Sequence, residues 1–219
     1  MNNSTSGHKR IDADFYPTPP WCVHRLMEQL DLPGGRWLEP AAGNGAIIKA
    51  INRSDIEWTA WELREEERTA LEALLPAERV HIGDFVAANR QGALNDARFA
   101  VAITNPPYRL STQFLEACLA RAEVVVLLVS LAYLASQARQ PFMSTHTPDV
   151  YVLPNRPTFV HGASDHAEYG WMVWRQASRT TGQLRILGLT SEAERLGRNL
   201  PTHPMSEPGP DWSQEDFSA

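Results

Sequence analysis

The tetrapeptide Asn105-Pro106-Pro107-Tyr108 has the residue types best suited to chemistry, and it follows directly on an apolar run that ends at Thr104. Its two prolines fix φ and remove backbone N–H donors, so the turn is stiff. The side-chain oxygen of Asn105 and the carbonyl oxygen of Pro106 can then accept both hydrogens of one NH2 group, while Tyr108 offers a flat face for a base. A proline-rich turn without chemistry is the alternative. Chance produces such a tetrapeptide in on the order of one in a thousand chains of this length.

Three acidic residues, Glu39, Glu62 and Asp84, stand at the ends of three successive predicted strands. The carboxyl ends of parallel strands meet at one edge of a sheet, so we expect the three carboxylates to lie close together. Glu39 suits a ligand with a positive amine. Glu62 can accept hydrogen bonds from ribose hydroxyls, and Asp84 can accept one from an adenine amino group. Taken singly, each acid also fits an ordinary turn or a solvated loop.

The loop Glu39–Gly45 leads from the first predicted strand into a helix. Gly43 and Gly45 lack side chains, which lets the backbone come close to a ligand. The spacing lacks the third glycine of the dinucleotide-binding fingerprint, and an acid at Glu39 does not suit a phosphate. An ordinary strand-to-helix turn is the alternative to a ligand-binding loop.

The elements that must position these residues alternate between strand and helix as far as residue 139. The predicted strands are Arg36–Leu38, Glu57–Leu63, Val80–Ile82, Phe99–Thr104 and Val124–Ser130. The predicted helices are Trp21–Leu30, Ala46–Ile51, Glu65–Leu75, Thr112–Arg121 and Leu131–Arg139. This alternation is typical of a parallel sheet with helices on both faces.

The pattern changes in the last third of the chain, where no helix is predicted between Val150–Leu153 and Gly170–Arg175. We interpret these two segments as an antiparallel pair that closes the edge of the sheet. Leu184–Leu189 is a candidate for a further short strand. The sequence therefore predicts an α/β fold with a mostly parallel, seven-stranded sheet and one antiparallel hairpin at its edge. The predicted organisation is a disordered segment 1–14, one domain 15–200 and an acidic, proline-rich tail 201–219.

The composition of the 219 residues narrows the class of protein. No apolar run approaches the roughly 20 residues of a membrane helix. The two cysteines, Cys22 and Cys118, are far apart, which indicates a reducing, cytoplasmic location. The formal net charge of −6 does not exclude nucleic-acid binding, because only the charge that faces the phosphates matters. His161 and His166 flank Asp165, but a metal needs three or four convergent ligands, so we predict no metal site.

Over residues 15–175 the chain resembles the N6-adenine DNA methyltransferases, whose Asn-Pro-Pro-Tyr signature stands here at 105–108. Some RNA adenine methyltransferases and the glutamine side-chain methyltransferases of release factors share that signature. It therefore indicates methylation of an amino group more firmly than it indicates DNA as the substrate. Phe15–Pro20 is similar to the segment with which the DNA enzymes cover the methionine end of their cofactor. Release-factor enzymes carry a helical domain before the glycine loop, and we expect none here, because few residues precede that loop in this sequence.

This resemblance implies a Rossmann-like class I methyltransferase fold and S-adenosylmethionine as the cofactor. The implied cofactor-binding residues are Tyr16, Thr18, Glu39, Ala41, Gly43, Gly45, Glu62, Asp84 and Phe85. The segment Asn105–Tyr108 would be catalytic. Phe159 matches the aromatic residue that packs against the flipped base, and Arg109 would contact the substrate.

The reaction that the resemblance implies is transfer of a methyl group to N6 of adenine in duplex or single-stranded DNA. Sequence-specific members of the family carry a target-recognition domain, and this sequence ends about where that domain would begin, as in compact phage and prophage enzymes. We therefore expect a short or relaxed recognition sequence. The alternatives are RNA adenine-N6 methylation, protein glutamine-N5 methylation, and a DNA-associated subunit that binds the cofactor without catalysis.

Overall fold

The computed structural model describes residues 17–158, 167–176 and 182–197. The chain divides into two compact units, Met1–Leu189 and Thr190–Ala219. The strands of the first unit are β1 (Gly35–Glu39), β2 (Ile56–Glu62), β3 (Val80–Ile82), β4 (Phe99–Thr104), β5 (Ala122–Ser130), β6 (Asp149–Val152), β7 (Tyr169–Arg175) and β8 (Leu184–Ile186). The bounds 15–200 for the domain and 201–219 for the tail remain predictions, because the tail lies outside the described residues.

The helices are short and lie between the strands. Those of the first unit are α1 (Pro20–Met27), α2 (Ala46–Ala50), α3 (Arg68–Glu72), α4 (Phe85–Arg90), α5 (Ser111–Leu119) and α6 (Gln140–Thr145). The second unit contains α7 (Glu192–Arg195), which begins with a capping box at Ser191. None of the described helices has the length and apolarity that a membrane crossing requires.

The eight strands form one sheet in the order β3-β2-β1-β4-β5-β7-β6-β8. Strands β1 to β5 pair in parallel with one another, and β6 pairs in parallel with β8. Strand β7 pairs antiparallel with both β5 and β6, so among the described strands it alone runs against the others. The order in which successive strands are added reverses between β1 and β4, and α/β folds of this kind form their ligand crevice at such a point.

Two features of the predicted sheet are wrong. The sheet has eight strands instead of seven, and the antiparallel hairpin of β6 and β7 is not its edge. Strand β7 is inserted between β5 and β6, and β8 covers the outer side of β6. All three residues of β8 are exposed, so its sequence lacks the buried alternation by which a strand is recognised.

Three helices also differ from the prediction, and the helical part of Glu65–Leu75 is confined to the 3-10 turn Glu65–Glu67 and α3. Helix α4 was not predicted, because it has only six residues and follows its cap, Asp84, without a long apolar period. The predicted helix Leu131–Arg139 is instead a single 3-10 turn, Leu131–Leu134, and the helix α6 begins later, at Gln140. Pro141 near the start of α6 suits the first turn of a helix, where no N–H is needed.

The two faces of the sheet form two hydrophobic cores. Helices α1, α2 and α3 pack with residues such as Trp37 and Trp171 on one face. Helices α4, α5 and α6 pack on the other face with residues such as Leu38 and Met172. The indole Nε1 of Trp171 donates a buried hydrogen bond of 2.9 Å to the carbonyl oxygen of Cys22. This bond ties α1 to β7 and so fixes the start of the described chain above the sheet.

Candidate functional site

A cavity that is partly open to solvent lies at the carboxyl ends of β1 to β4. Most of the residues implied by sequence line it together: Thr18, Glu39, Ala41, Gly43, Glu62, Asp84, Phe85, Asn105, Pro106, Pro107 and Tyr108. The edge of the sheet therefore brings residues from five separate segments to one place, as parallel strands predict.

Four of the implied residues are not among those that line this cavity. Arg109 is exposed on the 3-10 turn Tyr108–Leu110. Gly45 is buried and directly follows the cavity residue Asn44. Its φ is +77°, and a Cβ atom added there would lie 2.5 Å from Cδ1 of Leu74. Gly45 is thus favoured by its backbone conformation. Tyr16 and Phe159 lie outside the described residues, as do His161, Asp165 and His166.

Substitution of Gly45 by alanine is expected to lower the free energy of unfolding by about 1–2 kcal/mol, because an L side chain is strained in the left-handed region. Leu74 is exposed and the end of its side chain can move away from a new Cβ atom, so the backbone strain dominates. Thermal unfolding measures the effect, and Gly188→Ala is the matched control, since a Cβ atom at Gly188 meets nothing within 4 Å. An unchanged melting temperature for Gly45→Ala would contradict the conformational role.

Glu62, at the end of β2, has a carboxylate whose partners hold it in one orientation. Its Oε2 accepts the N–H of Gly43 at 2.7 Å, and its Oε1 accepts the backbone N–H and Nε of Arg64 at 3.0 and 2.9 Å. Arg64 also pairs with Glu67 at 3.2 Å. A carboxylate can accept about four hydrogen bonds, so Glu62 keeps capacity for one more donor at the cavity.

Glu39, at the end of β1, is also buried, with 2% of its surface exposed, but its carboxylate is not fully paired within the described part of the chain. Burial raises the pKa of Glu39 well above its usual value, the backbone N–H of Ile48 opposes that rise, and the negative charge of Glu62 adds to it. Its Oε2 is buried without a hydrogen-bond partner among the described residues. Buried polar atoms are normally paired, so this oxygen is an acceptor available to a ligand.

Asp84 and Phe85 form the third side of the cavity, where β3 leads into α4. Oδ1 of Asp84 caps the helix by accepting the N–H of Ala87 at 2.9 Å, and its second oxygen keeps acceptor capacity. The buried ring of Phe85 packs against Trp61 and Phe114, with centroid separations of 6.0 and 5.7 Å. These contacts give the cavity a rigid apolar wall beside an acidic acceptor.

The segment Asn105–Tyr108, after β4, forms another side of the cavity. Its prolines lie outside helix and strand, and one 3-10 turn, Tyr108–Leu110, leads into α5. The carbonyl oxygen of Pro106 accepts no hydrogen bond from the described residues. The ring of Tyr108 lies 5.7 Å from the buried ring of Tyr169 on β7, at an interplanar angle of 40°. Tyr169 therefore supports the aromatic face of Tyr108.

Several residues that line the cavity were missed by reasoning from sequence: Asn44, Leu63, Arg64, Leu110 and Phe114. Leu63 gives a faint signal, because it is a large apolar residue directly after a strand-end acid and is 61% exposed. Phe114 has the periodicity of an ordinary core residue of α5 and gives no signal. Among the described residues, no group of three or more His, Cys, Asp or Glu side chains is arranged to hold a metal ion.

Comparison with known proteins rests on structure. No family model matches the chain, and no curated protein matches it. The 23S rRNA methyltransferase ErmE matches with a TM-score of 0.55 at 14% identity, over 76% of this chain and 71% of that one. A proposed RNA methyltransferase of Pyrococcus horikoshii matches with a TM-score of 0.53 at 17% identity, over 74% and 87% of the two chains.

A proposed class I S-adenosylmethionine-dependent methyltransferase of Listeria monocytogenes also matches, with a TM-score of 0.53 at 12% identity, over 81% of this chain and 65% of that one. The chain has the class I methyltransferase fold. At these identities the likeness establishes the fold, and the reaction has to be argued from the site. In this class I methyltransferase fold the cavity lies at the change of strand order between β1 and β4.

Proposed function

We propose that the protein transfers a methyl group from S-adenosylmethionine to the exocyclic N6 amino group of adenine in DNA. One observation carries the proposal: the acceptor segment Asn105–Tyr108 lines the same cavity as the three strand-end acids Glu39, Glu62 and Asp84. The fold, shared with solved methyltransferases, is consistent with that reaction.

The polar groups of the cavity fit the cofactor group by group. The unpaired Oε2 of Glu39 would accept a hydrogen bond from the ammonium group of the methionine end. The remaining capacity of Glu62 would serve a ribose hydroxyl, and the second oxygen of Asp84 would serve the adenine amino group. Phe85 provides an apolar wall beside Asp84. When bound, the cofactor supplies an electrophilic methyl group on a sulfonium sulfur.

The target amine is a poor nucleophile because its lone pair is delocalised into the ring. Oδ1 of Asn105 and the carbonyl oxygen of Pro106 would accept its two hydrogens and draw them out of the ring plane, which localises the lone pair on N6. The base would stack on Tyr108, whose ring rests against Tyr169. The transfer would form the bond from N6 to the methyl carbon as the sulfur–carbon bond breaks, and the proton would then pass from N6 to water, so no general base is needed beforehand. Positioning supplies most of the rate. A base in a duplex has to be flipped out to reach this cavity.

The test is incubation of the protein with cofactor labelled in its methyl group and with DNA, RNA or protein, followed by nucleoside and amino-acid analysis. We expect N6-methyladenine from DNA, from duplex and single strands alike, and a rate of labelling roughly 100- to 1,000-fold lower with the Asn105→Ala variant. Label in RNA adenine or in glutamine would keep the chemistry and change the substrate. Cofactor binding without any transfer would support the non-catalytic alternative.

RNA adenine is the second candidate substrate. Its specific support is the likeness to the 23S rRNA methyltransferase ErmE and to the proposed RNA methyltransferase of Pyrococcus horikoshii. The acceptor segment Asn105–Tyr108 serves an adenine amino group in either nucleic acid. A competition experiment distinguishes the two substrates. Equal masses of DNA and RNA are added to one reaction with labelled cofactor, and the true substrate takes up the label and suppresses labelling of the other nucleic acid.

A further inference from the structure

Asn44 is a further residue that lines the cavity, and hydrogen bonds hold the backbone of its loop. It lies between Gly43 and Gly45, which have φ angles of +54° and +77°. The N–H of Gly43 donates to Oε2 of Glu62 at 2.7 Å, and Nζ of Lys49 donates to the carbonyl oxygen of Asn44 at 2.8 Å. These two hydrogen bonds hold the backbone of the loop, and Asn44 is one of the residues that line the cavity.

The side-chain oxygen of Asn44 is buried, and it has no hydrogen-bond partner within the described part of the chain. Oε2 of Glu39, five residues earlier on the same loop, is in the same condition. Both residues line the one cavity, so its wall holds two buried acceptors that lack donors. Buried acceptors without donors are costly, and their pairing by a ligand is the usual explanation at a binding site. The buried Oγ1 of Thr104 also lacks a partner, but Thr104 does not line the cavity.

A ligand that satisfies both oxygens has to bring at least two hydrogen-bond donors to this end of the cavity. An ammonium group carries three donors and no acceptor, and it matches the acid beside it in charge. A carboxylate or a phosphate offers only acceptors and would leave both oxygens unpaired.

We propose that Asn44 determines ligand specificity by binding, together with Glu39, the α-amino group of the cofactor's methionine end. The inference rests on the proposed function, since that function supplies the ligand. Asn44 thus selects adenosyl ligands that carry a free amine and contributes little to those that lack one.

The test compares three ligands by calorimetry: S-adenosylhomocysteine, its analogue in which hydrogen replaces the amino group, and methylthioadenosine, which lacks the amino-acid end. The variants are Asn44→Ala and Asn44→Asp, with Asn52→Ala as the control at an exposed asparagine outside the cavity. We expect Asn44→Ala to weaken binding of S-adenosylhomocysteine about tenfold, the loss of one hydrogen bond to a charged group. Its affinities for the two ligands without the amine should stay unchanged.

The Asp variant keeps an acceptor at the same place, so Asn44→Asp is expected to retain the preference for the amine-bearing ligand. An equal weakening of all three ligands by Asn44→Ala, or an effect on none, would overturn the role of Asn44 while leaving the proposed function standing. A wild-type protein that binds none of the three would overturn both. Melting temperatures of the variants show whether any loss reflects unfolding of the loop.

Discussion

Replacement of Asn105 by alanine is expected to lower the rate of methyl transfer roughly 100- to 1,000-fold, the effect of removing one preorganised hydrogen-bonding group from a reacting centre. In the proposed mechanism Oδ1 of Asn105 contacts the target amine and makes no contact with the cofactor. The affinity for S-adenosylmethionine should therefore stay unchanged. The measurement is single-turnover transfer of labelled methyl to DNA, with cofactor affinity determined separately by calorimetry.

Tyr108 provides the matched controls for this experiment. Tyr108→Phe keeps the ring that rests against Tyr169, so we expect its rate to stay near that of the wild type. Tyr108→Ala removes the stacking face, which is worth about 1–3 kcal/mol for a base. Full activity of Asn105→Ala would exclude the proposed acceptor role, and a parallel loss of cofactor binding would indicate collapse of the cavity instead.

Replacement of Glu39 by glutamine is expected to have two opposite effects. The pKa of Glu39 is raised in the folded protein, chiefly by burial, so the folded state keeps a proton that the unfolded state loses as the pH rises above its ordinary pKa. Glu39 therefore lowers stability as the pH rises from that ordinary value to the raised one. Glu39→Gln removes this penalty and should raise the melting temperature at neutral pH.

The same substitution should weaken binding of S-adenosylmethionine about a hundredfold, because the ligand's ammonium group loses its buried counter-charge. In the wild type the ligand favours the ionised carboxylate, so binding should release a proton and tighten as the pH rises. Calorimetry in buffers of different ionisation enthalpy counts that proton, and thermal unfolding between about pH 4 and pH 8 follows the stability.

Glu66→Gln is the control for both effects, since Glu66 is an exposed glutamate outside the cavity. We expect this variant to change neither cofactor affinity nor the pH dependence of the melting temperature. A Glu39→Gln variant with unchanged affinity and no gain in stability would show that Glu39 is already ionised and paired, contrary to its unpartnered oxygen.

Much of the site could be predicted because its residues follow strands that are themselves local features. Strands β3 and β4 have their predicted bounds, since each is a short segment rich in β-branched residues that ends at a turn of glycine or proline. Once the strands are parallel, their carboxyl ends share one edge. Glu39, Glu62 and Asp84 line one cavity for that reason.

The order of the last strands could not be predicted in the same way. Strand β7 is inserted between β5 and β6, although β6 precedes it in the chain, and this choice depends on pairing between distant segments. The insertion places Tyr169 behind Tyr108. The edge strand β8 is exposed throughout, so its sequence shows no alternation of buried side chains. Its position in the sheet depends on backbone pairing with β6.

The sequence by itself determined which groups meet at the edge of the sheet, because a period of alternating strands and helices and a stiff Asn-Pro-Pro-Tyr turn are local properties. Only the tertiary structure decided how those groups are paired. Glu39 and Glu62 are both glutamates at strand ends, yet Glu62 is held by Gly43, 19 residues away, and by Arg64, while one oxygen of Glu39 has no partner within the described residues. Burial and pairing depend on which loops pack together, and that is set by long-range contacts that no local pattern records.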